Sequence, residues 1–399
     1  MNVDTICLGT WLPRTSIHLK EVYNFFIDGT AVGLDQSKLK HLISQLCIED
    51  LLFNNNPDFN NIRFSSGNIE VTITEDGIIL MTLKQVKDVH REIRTVESFY
   101  TNQLGPALSY LFSRGAPLPQ TLLNIKEVYP RILLGKNMAL QEVEAYFKAQ
   151  DDALITSVSS EKLTIYYGEK SEFIDISNVD TQQSYNEFLD SLLTCSIFIR
   201  SFSGLLERYL QSHRSVWMEI SSIRENRNLR YSDFTMIRNT ILDILKTIAF
   251  IKARLHQMSD ILSLRNALTP ESIKQKLFTL GLSSFTTLEK SSQYMDNLWE
   301  MTADYSNSTM TLFASILEEN AQRELRLLQQ ITIAGSLFGF FGMNIAFPWE
   351  ERWNSTFLSS FVVFGIIILT LAISYVLIKK IILNRCFKIN LTKPLVTQI

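Results

Sequence analysis

The chain has 399 residues, of which 46% are apolar and 20% are charged, with a formal net charge of −3. This balance excludes a disordered chain and predicts no basic surface for nucleic acid. The four cysteines (Cys7, Cys47, Cys195, Cys386) lack CxxC or zinc-type spacing, so we expect a reducing compartment and no disulfide framework. The first twenty residues have no apolar core, so we also expect no signal or transit peptide.

Residues 1–180 are predicted to form a mixed α/β domain. Glu75-Asp76-Gly77 separates two alternating apolar runs, Asn68–Thr74 and Ile78–Leu83, which is typical of a β-hairpin. Further strands are predicted at Thr5–Trp11, Ala153–Val158, Lys162–Tyr167 and Glu172–Ile176. Helical patterns lie at Leu19–Ile27, Ser37–Leu52, Val86–Phe112 (interrupted near Pro106) and Leu140–Ala149.

Residues 181–326 are predicted to form a bundle and stalk of long helices. No proline lies between Arg131 and Thr269, so nothing there interrupts a helix. Helical spacing extends over Gln183–Glu225 and Tyr231–Ile261, and a third helix is predicted to open with Thr269-Pro270-Glu271. A single helix from Ser284 to Met343 would be about 90 Å long, at about 1.5 Å per residue.

Two uncharged segments follow, Leu327–Trp349 and Thr356–Ile378, and each exceeds the roughly 20 residues that cross a bilayer. We therefore predict two transmembrane helices at 327–349 and 356–378, an external link at 350–355 and a basic tail at 379–399. The alternative is that the first segment is a buried helix of a soluble domain, followed by a single anchor.

The charges next to the second span predict its orientation. The tail after it carries only basic charges, whereas the link has a net charge of −1. By the positive-inside rule both termini face the interior compartment. The basic residues are Lys379, Lys380, Arg385, Lys388 and Lys393.

Phe341-Gly342-Met343-Asn344 closes the first predicted span, just before the acidic link. This arrangement resembles the CorA family of divalent-cation channels, including its mitochondrial relatives, in which Gly-Met-Asn ends the first of two C-terminal spans. The resemblance covers roughly residues 180–390 and implies a homopentamer. Phe341 stands where a tyrosine is usual, and the link reads Phe347-Pro348-Trp349-Glu350 instead of Met-Pro-Glu, so the chain would be a divergent member.

The chemistry of the tripeptide suits Mg²⁺, which gives up its water ligands reluctantly. The amide oxygen of Asn344 and the backbone carbonyl of Gly342 can hydrogen-bond those waters without replacing them. We therefore predict a selectivity site at Gly342, Met343 and Asn344. Two spans per chain cannot enclose a pore, so the site requires a closed homo-oligomer.

Other residues are weaker candidates for roles in conduction. Glu350 and Glu351 would concentrate cations at the entrance, or simply solvate a short loop. Ile333 and Leu337 would form a hydrophobic gate, with Thr332 and Ser336 on a second stripe; packing between helices is the plainer interpretation.

Asp296, Glu300 and Asp304 recur at four-residue spacing along the predicted stalk helix. Like charges at this spacing destabilise a helix, and divalent cations bound between subunits would offset that cost. The three residues are therefore candidates for a regulatory Mg²⁺ site, and the alternative is an ordinary solvated face.

No nucleotide-binding or hydrolase motif is present, so we expect neither an enzyme nor an organic cofactor. The α+β chain is predicted to be a CorA-like channel for influx of Mg²⁺, with Co²⁺ or Ni²⁺ as further ions. The alternatives are a non-conducting membrane scaffold or signalling protein and a zinc transporter of the same family. We expect a bacterial-type inner membrane, with the mitochondrial inner membrane as the alternative.

Overall fold

The computed structural model describes residues 2–12, 19–55, 60–112, 130–137, 139–149, 152–160, 163–177, 183–225, 228–230, 233–343 and 386–388. The chain divides into two compact units. The first comprises Met1–His213 and Ala249–Glu300, and the second comprises Arg214–Ile248 and Met301–Ile399.

The first unit contains a nine-stranded sheet. Its strands are β1 (Asn2–Trp11), β2 (Glu49–Asn54), β3 (Asn61–Ser66), β4 (Ile69–Thr74), β5 (Ile78–Lys84), β6 (Arg131–Lys136), β7 (Leu154–Ser159), β8 (Thr164–Gly168) and β9 (Ser171–Asp175). Their order across the sheet is β2-β3-β4-β5-β1-β6-β9-β8-β7. β6 and β9 are parallel, and the other neighbours are antiparallel.

Short helices connect these strands. They are α1 (Leu19–Asp28), α2 (Gln36–Leu46), α3 (Val89–Phe99), a π-helical turn (Tyr100–Leu104), α4 (Gly105–Phe112) and α5 (Leu140–Ala149). Pro106 lies inside α4, and the predicted interruption there takes the form of the preceding π turn. Since proline has no N–H and its ring occupies space on the preceding turn, a local widening of the helix accommodates it.

Most predicted elements of this region are confirmed, including the hairpin at Asp76-Gly77 and the helix Leu140–Ala149. The predicted helix Ser37–Leu52 is wrong beyond Leu46, because Cys47 ends it with a left-handed backbone (φ 46°) and β2 follows. β2, β3 and β6 were not predicted. β6 is a short buried apolar run, and periodicity alone does not distinguish such a run from a helix.

The alternation of β1 places helices on both faces of the sheet. Leu8 belongs to a core formed with α1 to α4, whereas the ring of Trp11 lies 5.0 Å from that of Phe198 on the long helix that follows the sheet. Gly9 lies on the same face as Trp11, and a Cβ there would come within 2.5 Å of Ile197. Glycine at this position therefore lets the long helix approach the strand.

Four helices follow: α6 (Gln183–Glu225), α7 (Asp233–Leu268), α8 (Glu271–Thr279) and α9 (Phe285–Met343). The predicted bounds of α6 are confirmed, and α7 extends about two turns beyond the predicted end. Pro270 is the residue before α8 rather than its first helical residue. The α+β prediction, with an N-terminal sheet and long helices, is thereby confirmed.

Buried residues of α7 recur at alternating spacings of three and four, the period of a coiled coil. In the second unit, Phe234, Ile237 and Ile241 pack with Phe313 of α9 in one apolar cluster. The buried residues at this spacing are Phe234, Ile237, Ile241, Ile244, Ile248, Ile251, Leu255, Met258, Leu262 and Arg265, and Thr247 and Ile261 beside them are also buried.

A small second sheet belongs to the second unit. β10 (Asn228–Arg230), between α6 and α7 in the chain, pairs antiparallel with β11 (Cys386–Lys388) near the C-terminus. The predicted link 350–355 and second span 356–378 lie outside the described residues, as does the first span beyond Met343.

Candidate functional site

The predicted pore residues up to Met343 lie on α9, a single unbroken helix of 59 residues. Its start is fixed by Ser284, whose Oγ accepts a hydrogen bond from the N–H of Thr287 at 3.2 Å. The predicted continuous helix from Ser284 to Met343 is therefore confirmed, and at about 1.5 Å per residue it is about 90 Å long.

Burial along α9 changes sharply after Phe313. Up to that residue one stripe of the helix is buried: Phe285, Leu288, Ser292, Met295, Trp299, Thr302, Ser306, Thr309 and Phe313. From Ala321 to Ile333 every residue except the half-buried Glu324 is exposed. This segment includes large apolar side chains that are 45–65% exposed: Leu325, Leu327, Leu328, Ile331 and Ile333.

These exposed apolar side chains do not lie on one face. Leu327 and Leu328 are consecutive, and so point about 100° apart around the helix axis. Arg326, Gln329 and Gln330 lie among them, so the segment is apolar only in part. Lipid or further protein would cover its large apolar side chains. Within this chain, the described residues supply no such cover for the segment 325–333.

The hydroxyl groups of two predicted pore residues form hydrogen bonds within α9. The hydroxyl of Thr332 donates to the carbonyl of Leu328 at 2.8 Å, and that of Ser336 donates to the carbonyl of Thr332 at 2.9 Å. A Cβ on Gly335 would meet nothing within 4 Å. Thr332, Gly335 and Ser336 therefore form a small, internally bonded stripe that permits close approach of a second helix.

Only some of the remaining predicted site residues lie within the described part of the chain. Ile333 is exposed, at 56%, and Leu337, Gly342 and Met343 belong to the helical backbone at the end of α9. Asn344, Glu350 and Glu351 lie outside the described residues. The structure thus places the first part of the predicted tripeptide at a helix end and leaves its geometry a prediction.

The acidic residues of the stalk lie on α9 as predicted. Asp296 is half-buried and its Oδ1 atom has no hydrogen-bond partner, whereas Glu300 and Asp304 are exposed. Among the described residues, no group of three or more His, Cys, Asp and Glu side chains could hold a metal ion. The predicted cation site between subunits takes ligands from a second chain, so it stays a prediction.

One described helical stretch, Phe188–Glu225, is long and apolar enough to cross a membrane, and 61% of its most apolar window is buried. The ring of Phe198 meets Trp11 of the sheet edge-to-face, and that of Phe202 stacks on it. The part of the stretch up to His213 therefore contributes apolar residues to the core of the first unit.

Sequence reasoning missed two buried ion pairs that join helices to the sheet. Asp76, in the hairpin turn, accepts a hydrogen bond from Nε of Arg265 on α7 at 2.7 Å. Glu172 of β9 lies 2.8 Å from Arg200 of α6 and accepts a hydrogen bond from Ser196. The Asp-Gly pair predicted the turn, but nothing in the sequence identified Arg265 as the partner of Asp76.

No protein-family model and no curated protein matches the chain. Among solved structures it is similar to the CorA magnesium transporter from Methanocaldococcus jannaschii, at 12% sequence identity and a TM-score of 0.30. The match covers 62% of this chain and 90% of that one. A similarity this low carries no functional argument, so the function must be argued from the residues.

Proposed function

We propose that the protein is a CorA-like channel, a homo-oligomer in which Mg²⁺ enters the interior compartment down its electrochemical gradient. The observation that carries the proposal is α9. One helix extends from the buried stripe that ends at Phe313 to Gly342-Met343, and between them its segment 325–333 exposes five large apolar residues on more than one face. Such a helix suits a membrane-spanning segment that ends at the pore mouth.

The ion would meet neutral oxygen atoms first. Copies of Asn344 would surround the axis, and their amide oxygens would accept hydrogen bonds from the water ligands of Mg²⁺. Gly342 would leave its backbone carbonyl open to the same waters. Weak binding through the hydration shell allows release, which conduction requires. Glu350 and Glu351 would raise the local cation concentration outside this ring.

Below the mouth, two stripes of α9 would have different roles. Thr332 and Ser336 have hydroxyls that already bond within the helix, so with Gly335 they suit contact with the next subunit. Ile333 and Leu337 would then line the axis, where a ring of apolar side chains closes a pore by excluding water.

The assembly would be a pentamer in a bilayer, with both termini on the interior side. The membrane would be a bacterial-type inner membrane, with the mitochondrial inner membrane as the alternative. Asp296, Glu300 and Asp304 would bind Mg²⁺ between subunits and favour the closed state when interior Mg²⁺ is high. Co²⁺ and Ni²⁺ would pass by the same route.

Ion uptake by full-length protein in proteoliposomes tests the proposal, with a Mg²⁺-sensitive dye inside the vesicles. We expect Mg²⁺ entry that Asn344→Ala abolishes while the oligomer stays intact on size exclusion. The matched control is Asn354→Ala, which removes an asparagine from the predicted link instead, and this variant should conduct normally. An intact oligomer without Mg²⁺ uptake would favour a scaffold, and uptake of Zn²⁺ in preference to Mg²⁺ would favour a zinc transporter.

A further inference from the structure

The strand pair β10–β11 joins two distant parts of the second unit. β10 lies between α6 and α7 in the chain, and β11 lies in the predicted basic tail. Their register is antiparallel, with Asn228 opposite Lys388, Leu229 opposite Phe387 and Arg230 opposite Cys386.

We propose that β10 is a docking site for the segment Cys386–Lys388 of the same chain, and that the pairing straps the C-terminal tail to the helical bundle. A strand without a neighbour has unused backbone donors and acceptors, and a second extended segment satisfies them by pairing. The occupant is the chain's own tail, because the register joins residues of one chain.

The strap connects the tail to the place where α9 leaves its core. α7 begins at Asp233, three residues after β10 ends. Its first turn carries Phe234, whose ring lies 5.8 Å from that of Phe313. Phe313 is the last buried residue of α9 before the exposed segment. A tail held at β10 therefore braces the base of the exposed segment through the first turns of α7.

The strap also determines on which side of the membrane the C-terminal tail lies. This consequence rests on the proposed function. If the end of α9 crosses the membrane, β11 can reach β10 only when the chain crosses back. About 40 residues separate Met343 from Cys386, enough for one return span of roughly 20 residues. The pairing itself does not depend on ion conduction.

Disulfide trapping tests the register with the natural Cys386. Directly opposite residues of antiparallel strands have Cα atoms about 4.5–5.5 Å apart, within the range of roughly 4.4–6.8 Å that a disulfide requires. In full-length protein lacking Cys47, mild oxidation of Arg230→Cys should form an intrachain disulfide, identified as a linked peptide by mass spectrometry. Leu229→Cys, one residue out of register, is the matched control and should form at least about tenfold less.

A second pair makes the test independent of one variant. Asn228→Cys with Lys388→Cys, in a protein without Cys47 and Cys386, should form the corresponding intrachain bond. Covalent dimers in place of intrachain bonds, or equal yields in and out of register, would overturn the proposal. Neither outcome depends on Mg²⁺ uptake, so failure of the strap and failure of the channel are distinguishable.

Hydrogen exchange of the full-length protein tests the bracing. Ending the chain at Arg385 should speed amide exchange about tenfold or more in β10 and in the first turns of α7, with the sheet unchanged. Lys393→Gln, which alters the tail's charge outside the ribbon, should leave exchange unaltered. Unchanged exchange at 228–241 after truncation would refute the bracing.

Discussion

At the scale of single residues, the Asp76–Arg265 pair is the strongest tie between the sheet and α7. Both side chains are buried, and Asp76 also accepts a hydrogen bond from the Thr74 hydroxyl at 2.5 Å. Removing one partner leaves an uncompensated buried charge, which costs about 3–5 kcal/mol. We expect Asp76→Ala to lower the free energy of unfolding of the full-length protein by this amount, measured in urea with detergent present.

The exposed pair Glu70–Lys84 in the same sheet is the control. Its side chains are about 60% exposed, so Glu70→Ala should cost less than about 1 kcal/mol. Equal losses in Asp76→Ala and Glu70→Ala would contradict the ranking of the two pairs.

Cysteine reactivity provides a second prediction at this scale. Burial raises the pKa of Cys7 to about 12 and also raises that of Cys195, whereas Cys47 is exposed. Because the thiolate is the reactive form, a pKa near 12 leaves about one part in ten thousand ionised at pH 8. In a Cys386→Ser protein, iodoacetamide should modify Cys47 alone until the chain unfolds, as read by mass spectrometry. Fast modification of Cys7 in the folded protein would contradict its burial.

Single residues also mark the limit of sequence reasoning. The Asp76-Gly77 turn was predictable because the two flanking runs alternate locally. Its partner Arg265 was not predictable, since 189 positions separate the two residues and only the tertiary fold brings them together. Likewise Cys47 takes a left-handed backbone that usually signals glycine, so the end of α2 left no mark in the sequence.

At the scale of elements, α7 owes its packing to the alternating three- and four-residue spacing of its buried side chains. Ile241 is fully buried, whereas its neighbour Leu242 is 44% exposed. Ile241→Ala should therefore lower the free energy of unfolding by about 2–5 kcal/mol. Leu242→Ala should cost much less, and similar urea midpoints for the two variants would contradict the assignment of the buried stripe.

The long helices were predictable because their sequences lack proline and repeat apolar residues over many turns. The bounds of α6 and the continuity of α9 follow from that pattern. Short elements were harder: β2 has no alternating burial, so its sequence lacks the usual signature of a strand. The three-residue ribbon β10–β11 left no periodic signal at all.

At the scale of the whole molecule, the proposed pore depends on contacts between copies of the chain. The sequence predicted the helix that carries Gly342 and Met343, because a helix is a local structure. How several copies meet around an axis is set by intermolecular packing, which neither the spacing of residues nor one isolated chain determines. The exposed apolar segment 325–333 is the feature that calls for such packing or for lipid.

The central claim is that copies of α9 bring Asn344 together around a water-filled axis. It is tested most directly by Asn344→Cys in reconstituted full-length protein without Cys47 and Cys386. A membrane-impermeant thiol reagent should react with this cysteine, and oxidation should link neighbouring subunits into a covalent ladder. An unreactive cysteine that forms no links, in a variant whose Asn344 parent carries Mg²⁺, would contradict the claim.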